Sequence, residues 1–273
     1  MIIWLASYPK SGNTWVRSIV NQLINNDIKK DENVFDDLLN IRRYPTFFDM
    51  KELPKLTDTS SQEDKKKTIE FTIKNWKKSQ DSINEKNKIQ ILKTHNMLCK
   101  LKIENHDYSF TDTTNSIAVI PIVRDPRNVV SSVKNHFNHN DIGESIKMLN
   151  DQYAWSGFKN NDVPQLLSSW NNHYNSWKRF PKNYLLIKYE NLINFPELEF
   201  EKITKYLENL INKKFEKTKI LDSIKKSSFD NLKKKEQSNG FIEAPISIDQ
   251  PISFFNMGPK NDWHNLLDEE ISK

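Results

Sequence analysis

The sequence contains very little cysteine and no long apolar run. Its 273 residues include one cysteine, Cys99, which excludes an intramolecular disulfide and a cysteine-rich metal site. The longest apolar run, residues 117–123, is far too short to span a bilayer. No basic segment precedes an apolar stretch at the amino terminus, so we predict no signal peptide and a cytoplasmic location.

The sequence also lacks a large excess of one charge. It has 41 Lys and Arg against 36 Asp and Glu, a net charge of +5, and the two signs are mixed along the chain. A nucleic-acid partner is therefore not required, although a mildly basic chain suits an anionic ligand. With 36% hydrophobic and 28% charged residues, the composition is typical of a soluble globular protein.

The first strand, turn and helix form the most informative stretch. Residues 2–6 predict a buried strand, and residues 16–24 have apolar positions at helical spacing. The turn between them would point backbone N–H groups and the positive end of a helix at one spot, which predicts an anion site. The alternative is a simple cap between two core elements. A nucleotide P-loop has lysine directly after its second glycine, whereas here Lys10 comes two residues before Gly12.

Two later strands end in residues that suit chemistry or anion binding. Residues 89–92 predict a strand that leads to Lys93 and His95, and functional groups of parallel α/β proteins gather at such strand ends. Residues 117–123 predict another strand, followed by Arg124 and a helix over 129–137. Arg124 and Ser132 could converge on one phosphate. The plainer alternatives are a structural histidine and an arginine in a local ion pair.

The strands are spread from residue 2 to residue 189, and no linker divides the chain. We therefore predict an α/β fold: one P-loop-NTPase-like domain over 1–273, with a mostly parallel central sheet and helices on both faces. Further helices are predicted at 61–88, 165–180 and 196–210, from 218, and shortly before residue 273. A third strand is predicted at 184–189.

Five motifs, in this order, resemble the cytosolic-type sulfotransferases that use 3′-phosphoadenosine 5′-phosphosulfate (PAPS). Residues 8–15 read Y-P-K-S-G-N-T-W, similar to the family's Y-P-K-S-G-T-T-W loop, and residues 93–95 match its K-T-H element. Residues 124–132 are similar to its 3′-phosphate segment. Residues 189–192 and 227–229 resemble its Y-E-D-L and T-S-F elements. The resemblance covers nearly the whole chain.

This resemblance implies in-line transfer of a sulfuryl group from PAPS to a hydroxyl or amine, releasing 3′,5′-adenosine diphosphate (PAP), with no metal. His95 would be the general base, a task that the ~6.5 pKa of a free histidine suits. Lys10 and Lys93 would stabilise the transferring group. The residues implied to bind the cofactor are Lys10, Ser11, Gly12, Asn13, Thr14, Trp15, Arg124, Ser132, Tyr189, Ser227, Phe229 and Gly258.

One element departs from the family pattern. The family usually has R-K-G-x-x-G-D-W near its carboxyl end, and the Arg-Lys pair helps to hold the 3′-phosphate. Here Asn256 and Met257 precede Gly258, which predicts weaker cofactor binding unless Lys260 substitutes. The dimerisation motif of the animal enzymes is not recognised, and the oligomeric state is left open.

The acceptor is predicted to be a small hydroxylated molecule, because aromatic residues recur in a Pro-broken segment and in a polar lid over 138–164. They are Tyr44, Phe47, Phe48, Tyr153, Trp155 and Phe158. The same residues could serve the core or stack on a sugar, so a glycan sulfotransferase is the alternative. Two other functions are less favoured. One is a Mg²⁺-dependent small-molecule kinase, whose P-loop would need a lysine directly after Gly12, and the other is a polyanion-binding module.

Overall fold

The computed structural model describes residues 1–25, 38–50, 52–54, 56–57, 60–85, 88–158, 162–241, 243–244 and 252–267. The chain forms two compact units that alternate along the sequence. Unit 1 comprises residues 1–8, 42–121 and 150–185, and unit 2 comprises residues 9–41, 122–149 and 186–273. The single domain over 1–273 stays a prediction.

Unit 1 contains most of the sheet. Its strands β1 (Ile2–Ser7), β2 (Gln90–Thr94), β5 (Ser116–Val123) and β8 (Asn183–Tyr184) lie in the order β2-β1-β5-β8. β1 pairs in parallel with β2, which sets Ala6 opposite Thr94, and β5 pairs in parallel with β8. All six residues of β1 are buried, as expected for a parallel strand covered on both faces.

Two short antiparallel pairs and two helices complete unit 1. The pairs are β3 (Lys100–Ile103) with β4 (His106–Ser109), and β6 (Trp155–Ser156) with β7 (Gln165–Leu166). The helices are α2 (Gln62–Asn84) and α5 (Trp170–Trp177). α2 begins at a capping box in which Ser61 and Asp64 bond each other's backbone N–H groups.

An aromatic cluster around Phe110 forms the core of unit 1. The ring centre of Phe110 lies 5.3 Å from that of Trp4 and 5.4 Å from that of Trp76. Trp177 and Tyr44 each lie 6.0 Å from it. Such tilted and edge-to-face pairs stabilise the core beyond the burial of their area. Tyr44 is fully buried and its hydroxyl donates to the Trp76 carbonyl oxygen, so its side chain serves the core.

Unit 2 is mostly helical. Its helices are α1 (Asn13–Ile24), α3 (Pro126–Phe137), α4 (Ile142–Asn150, whose last residue belongs to unit 1), α6 (Tyr189–Asn194), α7 (Pro196–Ile211), α8 (Lys217–Lys226), α9 (Phe229–Asn239) and α10 (Trp263–Leu266). Short 3-10 helices cover Leu38–Ile41 and Gly258–Lys260. The last two residues of β5 lie in this unit, where they pair in parallel with β9 (Ile187–Lys188).

The predicted α/β class and mostly parallel sheet are confirmed, with two corrections to its elements. The predicted strand at 184–189 is interrupted, and Tyr189 already begins α6. The predicted helix at 165–180 begins only at Trp170, because residues 165–166 pair as β7, Ser168 has a φ of 57° and Ser169 caps α5. Residues 86–87 and 268–273, which the predicted helices include, lie outside the described residues. No helix among the described residues is long and apolar enough to cross a membrane.

Candidate active site

The turn before α1 holds its backbone in left-handed conformations. Lys10 has a φ of 65° and Gly12 a φ of 97°. Gly12 is the N-cap of α1, and no side chain caps this helix. A helix start without a side-chain cap leaves first-turn N–H groups for an external acceptor, and amides bent in this way form a concave anion site. This is the backbone geometry of an anion-binding turn.

Arg124 is a buried cation at the end of β5. It is 5% exposed, its guanidinium lies 4.3 Å from the ring centre of Tyr189, and Nη1 donates to the Lys10 carbonyl oxygen at 3.2 Å. Among the residues that the structure describes, its Nε has no hydrogen-bond partner and no carboxylate forms an ion pair with it. Burial lowers the pKa of Arg124, while Tyr189, Glu190 and Asp125 act to raise it. A buried cation without an ion pair suits an anionic ligand.

Two further buried polar atoms, in or directly after this turn, have no hydrogen-bond partner among the described residues. They are Oγ of Ser11, in the turn, and Nε1 of Trp15, in the first turn of α1. Buried polar atoms are nearly always hydrogen-bonded in folded proteins, so unsatisfied ones near an anion-binding turn favour a ligand there. With Nε of Arg124 they offer three donors, which fits a nucleotide that carries phosphate groups.

The neighbourhood of Lys10 includes an aromatic ring from near the carboxyl end. The ammonium Nζ lies 3.5 Å from the ring centre of Phe254 and donates to the Phe254 carbonyl oxygen at 3.4 Å. These two contacts fix the position of the Lys10 ammonium beside the anion-binding turn. The segment around Phe254 is fixed in turn by Glu236, whose carboxylate accepts from the N–H groups of Phe254 and Phe255.

Phe229 packs tightly on Gly258 at the start of α9. A Cβ built on Gly258 would lie 2.3 Å from Cε2 of Phe229, so a larger residue does not fit. The Lys233 ammonium donates to the Asn256 carbonyl oxygen at 3.0 Å, and Lys260 is exposed. The predicted replacement of the missing cations by Lys260 stays a prediction.

The hydroxyl of Ser227 is hydrogen-bonded to side chains of α1. It is fully buried and lies 2.8 Å from Oγ of Ser18 and 2.6 Å from Nε2 of Gln22. Ser132, by contrast, is half-buried, and its hydroxyl forms no hydrogen bond to the described residues. The adenine role of Ser227 and the phosphate role of Ser132 stay predictions.

His95 lies in unit 1, one residue beyond β2. Its Nδ1 is 2.7 Å from the Ser7 carbonyl oxygen and 3.3 Å from the Ser7 hydroxyl. A carbonyl oxygen only accepts, so Nδ1 carries a proton, and whenever the ring is neutral its lone pair is therefore on Nε2. Lys93, two residues earlier on β2, is 5% exposed. Unit 1 thus contains both predicted catalytic groups of β2, and unit 2 contains Lys10 and every predicted cofactor residue.

Comparison with known proteins identifies the family. The sulfotransferase domain family matches residues 2–273. The chain belongs to the sulfotransferase family. These enzymes use PAPS, so the chain is a PAPS-dependent sulfotransferase. Among the described residues, no group of three or more His, Cys, Asp or Glu side chains could hold a metal ion.

Curated relatives of this sulfotransferase share about a quarter of its sequence. Dog sulfotransferase 1B1 is 26% identical over 97% of this chain and 77% of its own length. Crab-eating macaque (Macaca fascicularis) sulfotransferase 2A1 is 28% identical over 55% of this chain and 50% of its own. A 3-beta-hydroxysteroid sulfotransferase of guinea pig is 29% identical over 53% of this chain and 48% of its own.

Two solved structures share the fold of this sulfotransferase. Retinol dehydratase in complex with androsterone and the inactive cofactor PAP has a TM-score of 0.59, 17% identity, and covers 99% of this chain and 77% of its own. Mouse sulfotransferase SULT7A1 complexed with PAP has a TM-score of 0.54, 17% identity, and covers 99% and 79%.

Sequence reasoning missed the residues that anchor the carboxyl-terminal segment of the sulfotransferase to α3. The amide of Asn261 donates to the Asn128 carbonyl oxygen at 2.7 Å and accepts from the Ser131 hydroxyl at 2.6 Å. The N–H of Trp263 donates to Oδ1 of Asn128 at 2.8 Å. The polar residues at 128, 131 and 261 carry no pattern in the sequence that would pair them before folding.

Gly12→Ala is expected to remove most PAP binding, because the added Cβ would lie 2.4 Å from Cδ2 of Tyr189 at a φ of 97°. Either the tyrosine or the anion-binding turn must move. Gly240→Ala is the matched control, since Gly240 also has a positive φ, of 70°, but a Cβ there meets nothing within 4 Å. We expect the control to lose about 1–3 kcal/mol of stability from strain alone and to bind PAP normally in calorimetry. Equal PAP affinities for the two variants would contradict the expectation that the contact between Gly12 and Tyr189 shapes the PAP site.

Proposed function

We propose that this sulfotransferase transfers the sulfuryl group of PAPS to a hydroxyl or amine of a small acceptor, with His95 as general base. The observation that supports this most is the 2.7 Å hydrogen bond from Nδ1 of His95 to the Ser7 carbonyl oxygen. It keeps the proton on Nδ1, so that Nε2 has the lone pair a base needs.

The nucleotide roles follow from the chemistry of unit 2. Arg124 and Ser132 would hold the 3′-phosphate, since a buried guanidinium without an ion pair gains most from a phosphate. The turn residues Ser11, Gly12, Asn13 and Thr14 would bond the 5′-phosphate through backbone N–H groups and hydroxyls.

Aromatic groups would surround the adenine. They are Trp15, Tyr189 and Phe229, with Ser227 and the N–H of Gly258 beside them. The ring centre of Trp15 lies 6.3 Å from that of Tyr189, and Phe229 lies against Gly258. Flat apolar surfaces of this kind suit a purine.

PAPS supplies the electrophilic sulfuryl group when it is bound. The chain supplies charge and a base: Lys10 would neutralise the negative charge that develops on the bridging oxygen, and Lys93 would stabilise the transferring group. Nε2 of His95 would take the proton from the acceptor. In-line transfer depends mainly on such positioning and charge stabilisation.

The acceptor would be a small hydroxylated molecule. Phe48 and Tyr153, both in unit 1, are 94% and 81% exposed, whereas large aromatic side chains are usually well buried. Exposed aromatic rings suit an apolar acceptor that carries a hydroxyl. The guinea pig relative is named a 3-beta-hydroxysteroid sulfotransferase, and a hydroxysteroid is an apolar molecule that carries a hydroxyl. The alternative is a glycan acceptor, and a cytoplasmic location stays a prediction.

Incubation with ³⁵S-labelled PAPS and an acceptor panel tests the proposal. The panel contains a phenol, a primary alcohol, a hydroxysteroid, an arylamine and a sulfate-free polysaccharide. We expect label on a small hydroxylated acceptor, one PAP released per transfer, and no change when EDTA is added. Label on the polysaccharide alone would replace the small acceptor by a glycan. Turnover of ATP with Mg²⁺ and none of PAPS would contradict the proposal.

A further inference from the structure

The backbone of His95 is held on both sides of its Cα by buried side chains of unit 1. Its N–H donates to Oε1 of Gln165 at 2.9 Å, and its carbonyl oxygen accepts from Nε2 of His173 at 3.1 Å. Gln165 is 2% exposed and His173 is 3% exposed. The two backbone polar groups of one residue are thus fixed by side chains that come from β7 and α5, about 70 to 80 residues later in the chain.

The backbone groups that follow His95 have partners as well. Beyond His95, the N–H of Met97 donates to the backbone carbonyl oxygen of Leu166 at 2.8 Å. The carbonyl oxygen of Asn96 accepts from the indole N–H of Trp177 at 3.1 Å. Buried backbone groups need partners wherever a strand ends, and these bonds meet that need. The N–H of Asn96 donates to the nearby Thr94 hydroxyl at 3.1 Å, whereas both partners of the His95 backbone are side chains from later elements.

His173 acts here as a neutral donor. Burial lowers its pKa to about 4, so the ring has one proton at neutral pH. That proton is on Nε2, because the carbonyl oxygen of His95 can only accept. The ring also meets Tyr8 edge to face, with ring centres 5.6 Å apart. Its orientation is therefore set from two directions.

We propose that Gln165 and His173 are positioning residues for His95: by holding its N–H and carbonyl groups they keep Nδ1 on the Ser7 carbonyl oxygen and the lone pair on Nε2. This inference rests on the proposed role of His95 as the base. Neither residue touches a substrate in this scheme. Without these two bonds the backbone at His95 could rotate and swing the imidazole away from Ser7. A shift of about 1 Å in a reacting group costs about 10²-fold in rate.

Two variants of His173 and a matched control test the positioning role. His173→Phe keeps a ring against Tyr8 but removes the donor, whereas His173→Gln keeps an N–H donor. We expect kcat of the phenylalanine variant to fall by about 10- to 100-fold, with KM for PAPS and for the acceptor within about twofold, and the glutamine variant to recover much of the loss. Trp177→Phe is the control, since it removes a buried donor to the next carbonyl oxygen. It is expected to lower Tm yet keep kcat per PAP-binding site near wild type.

The tautomer of His95 gives a readout that does not depend on turnover. In ¹⁵N-histidine NMR of the PAP-bound protein, we expect a protonated Nδ1 and an unprotonated Nε2 for His95, and a mixture of tautomers in His173→Phe. Gln165→Met, which removes the acceptor of the His95 N–H, should give the same mixture. It replaces His173→Phe as the test if that variant folds poorly. A wild-type tautomer and kcat in both variants would overturn the positioning role. Full turnover by a His95→Asn variant would instead overturn the base assignment, and the two failures are thus distinguishable.

Discussion

His95→Asn is expected to lower kcat by about 10²- to 10⁴-fold, the usual contribution of a positioned general base, and to leave the Kd for PAP unchanged. The amide nitrogen of asparagine lies near the position of Nδ1, so the variant keeps a donor to the Ser7 carbonyl oxygen, now 2.7 Å from Nδ1. It removes only the group at Nε2. The variant therefore separates loss of the base from loss of the hydrogen bond that orders this part of unit 1.

His106→Asn is the control for this experiment. His106 begins β4 in the same unit and is exposed, so its replacement should leave kcat at the wild-type value. Steady-state rates with ³⁵S-labelled PAPS give kcat, and calorimetry with PAP gives Kd. An asparagine variant with the wild-type kcat would show that another group takes the proton. A variant that lost PAP affinity as well would point to a structural role for the histidine.

The order and type of the main elements could be predicted because they depend on local pattern. The run at 2–6 and the spacing at 16–24 specify β1 and α1. The helix predicted over 129–137 is found as α3, which begins three residues earlier because Pro126 takes its first position and Asp125 caps it. The short pairs could not be found in this way. β3 and β4 are four residues each, and they are joined at Glu104, which has a φ of 54° without being a glycine.

The residues that fix the site depend on contacts far apart in the chain. The tautomer of His95 is set by Ser7, which lies 88 residues earlier, and its peptide is set by Gln165 and His173. Motifs could predict which residue is a candidate base, because its type and place at a strand end are local. They could not predict what orients it. Tyr189 shows the same limit, since it reads as the end of a strand but begins α6 and packs over Gly12.

Arg124→Met is expected to weaken PAP binding by about 10- to 150-fold, the loss of a charge-assisted hydrogen bond worth about 1.5–3 kcal/mol. It should at the same time leave the ligand-free protein as stable or more stable. The guanidinium is 5% exposed and has an unsatisfied Nε, so the free protein bears the desolvation of a charge that has no ion pair. Methionine fills similar space beside Tyr189 without that charge.

A ligand comparison identifies the phosphate that Arg124 binds. If the guanidinium holds the 3′-phosphate, the variant should lose affinity for PAP but not for adenosine 5′-monophosphate, which lacks that group. Arg127→Met is the control: Arg127 is partly exposed, pairs with Asp125 at 2.7 Å and stacks on Trp263 at 3.8 Å, so its own partners already satisfy it. We expect its PAP affinity to change by no more than about threefold. Calorimetry with both nucleotides measures the affinities, and thermal unfolding without nucleotide measures the stability of the free protein. Equal losses of affinity for PAP and for the monophosphate would show that Arg124 supports the structure of the turn rather than binding the 3′-phosphate.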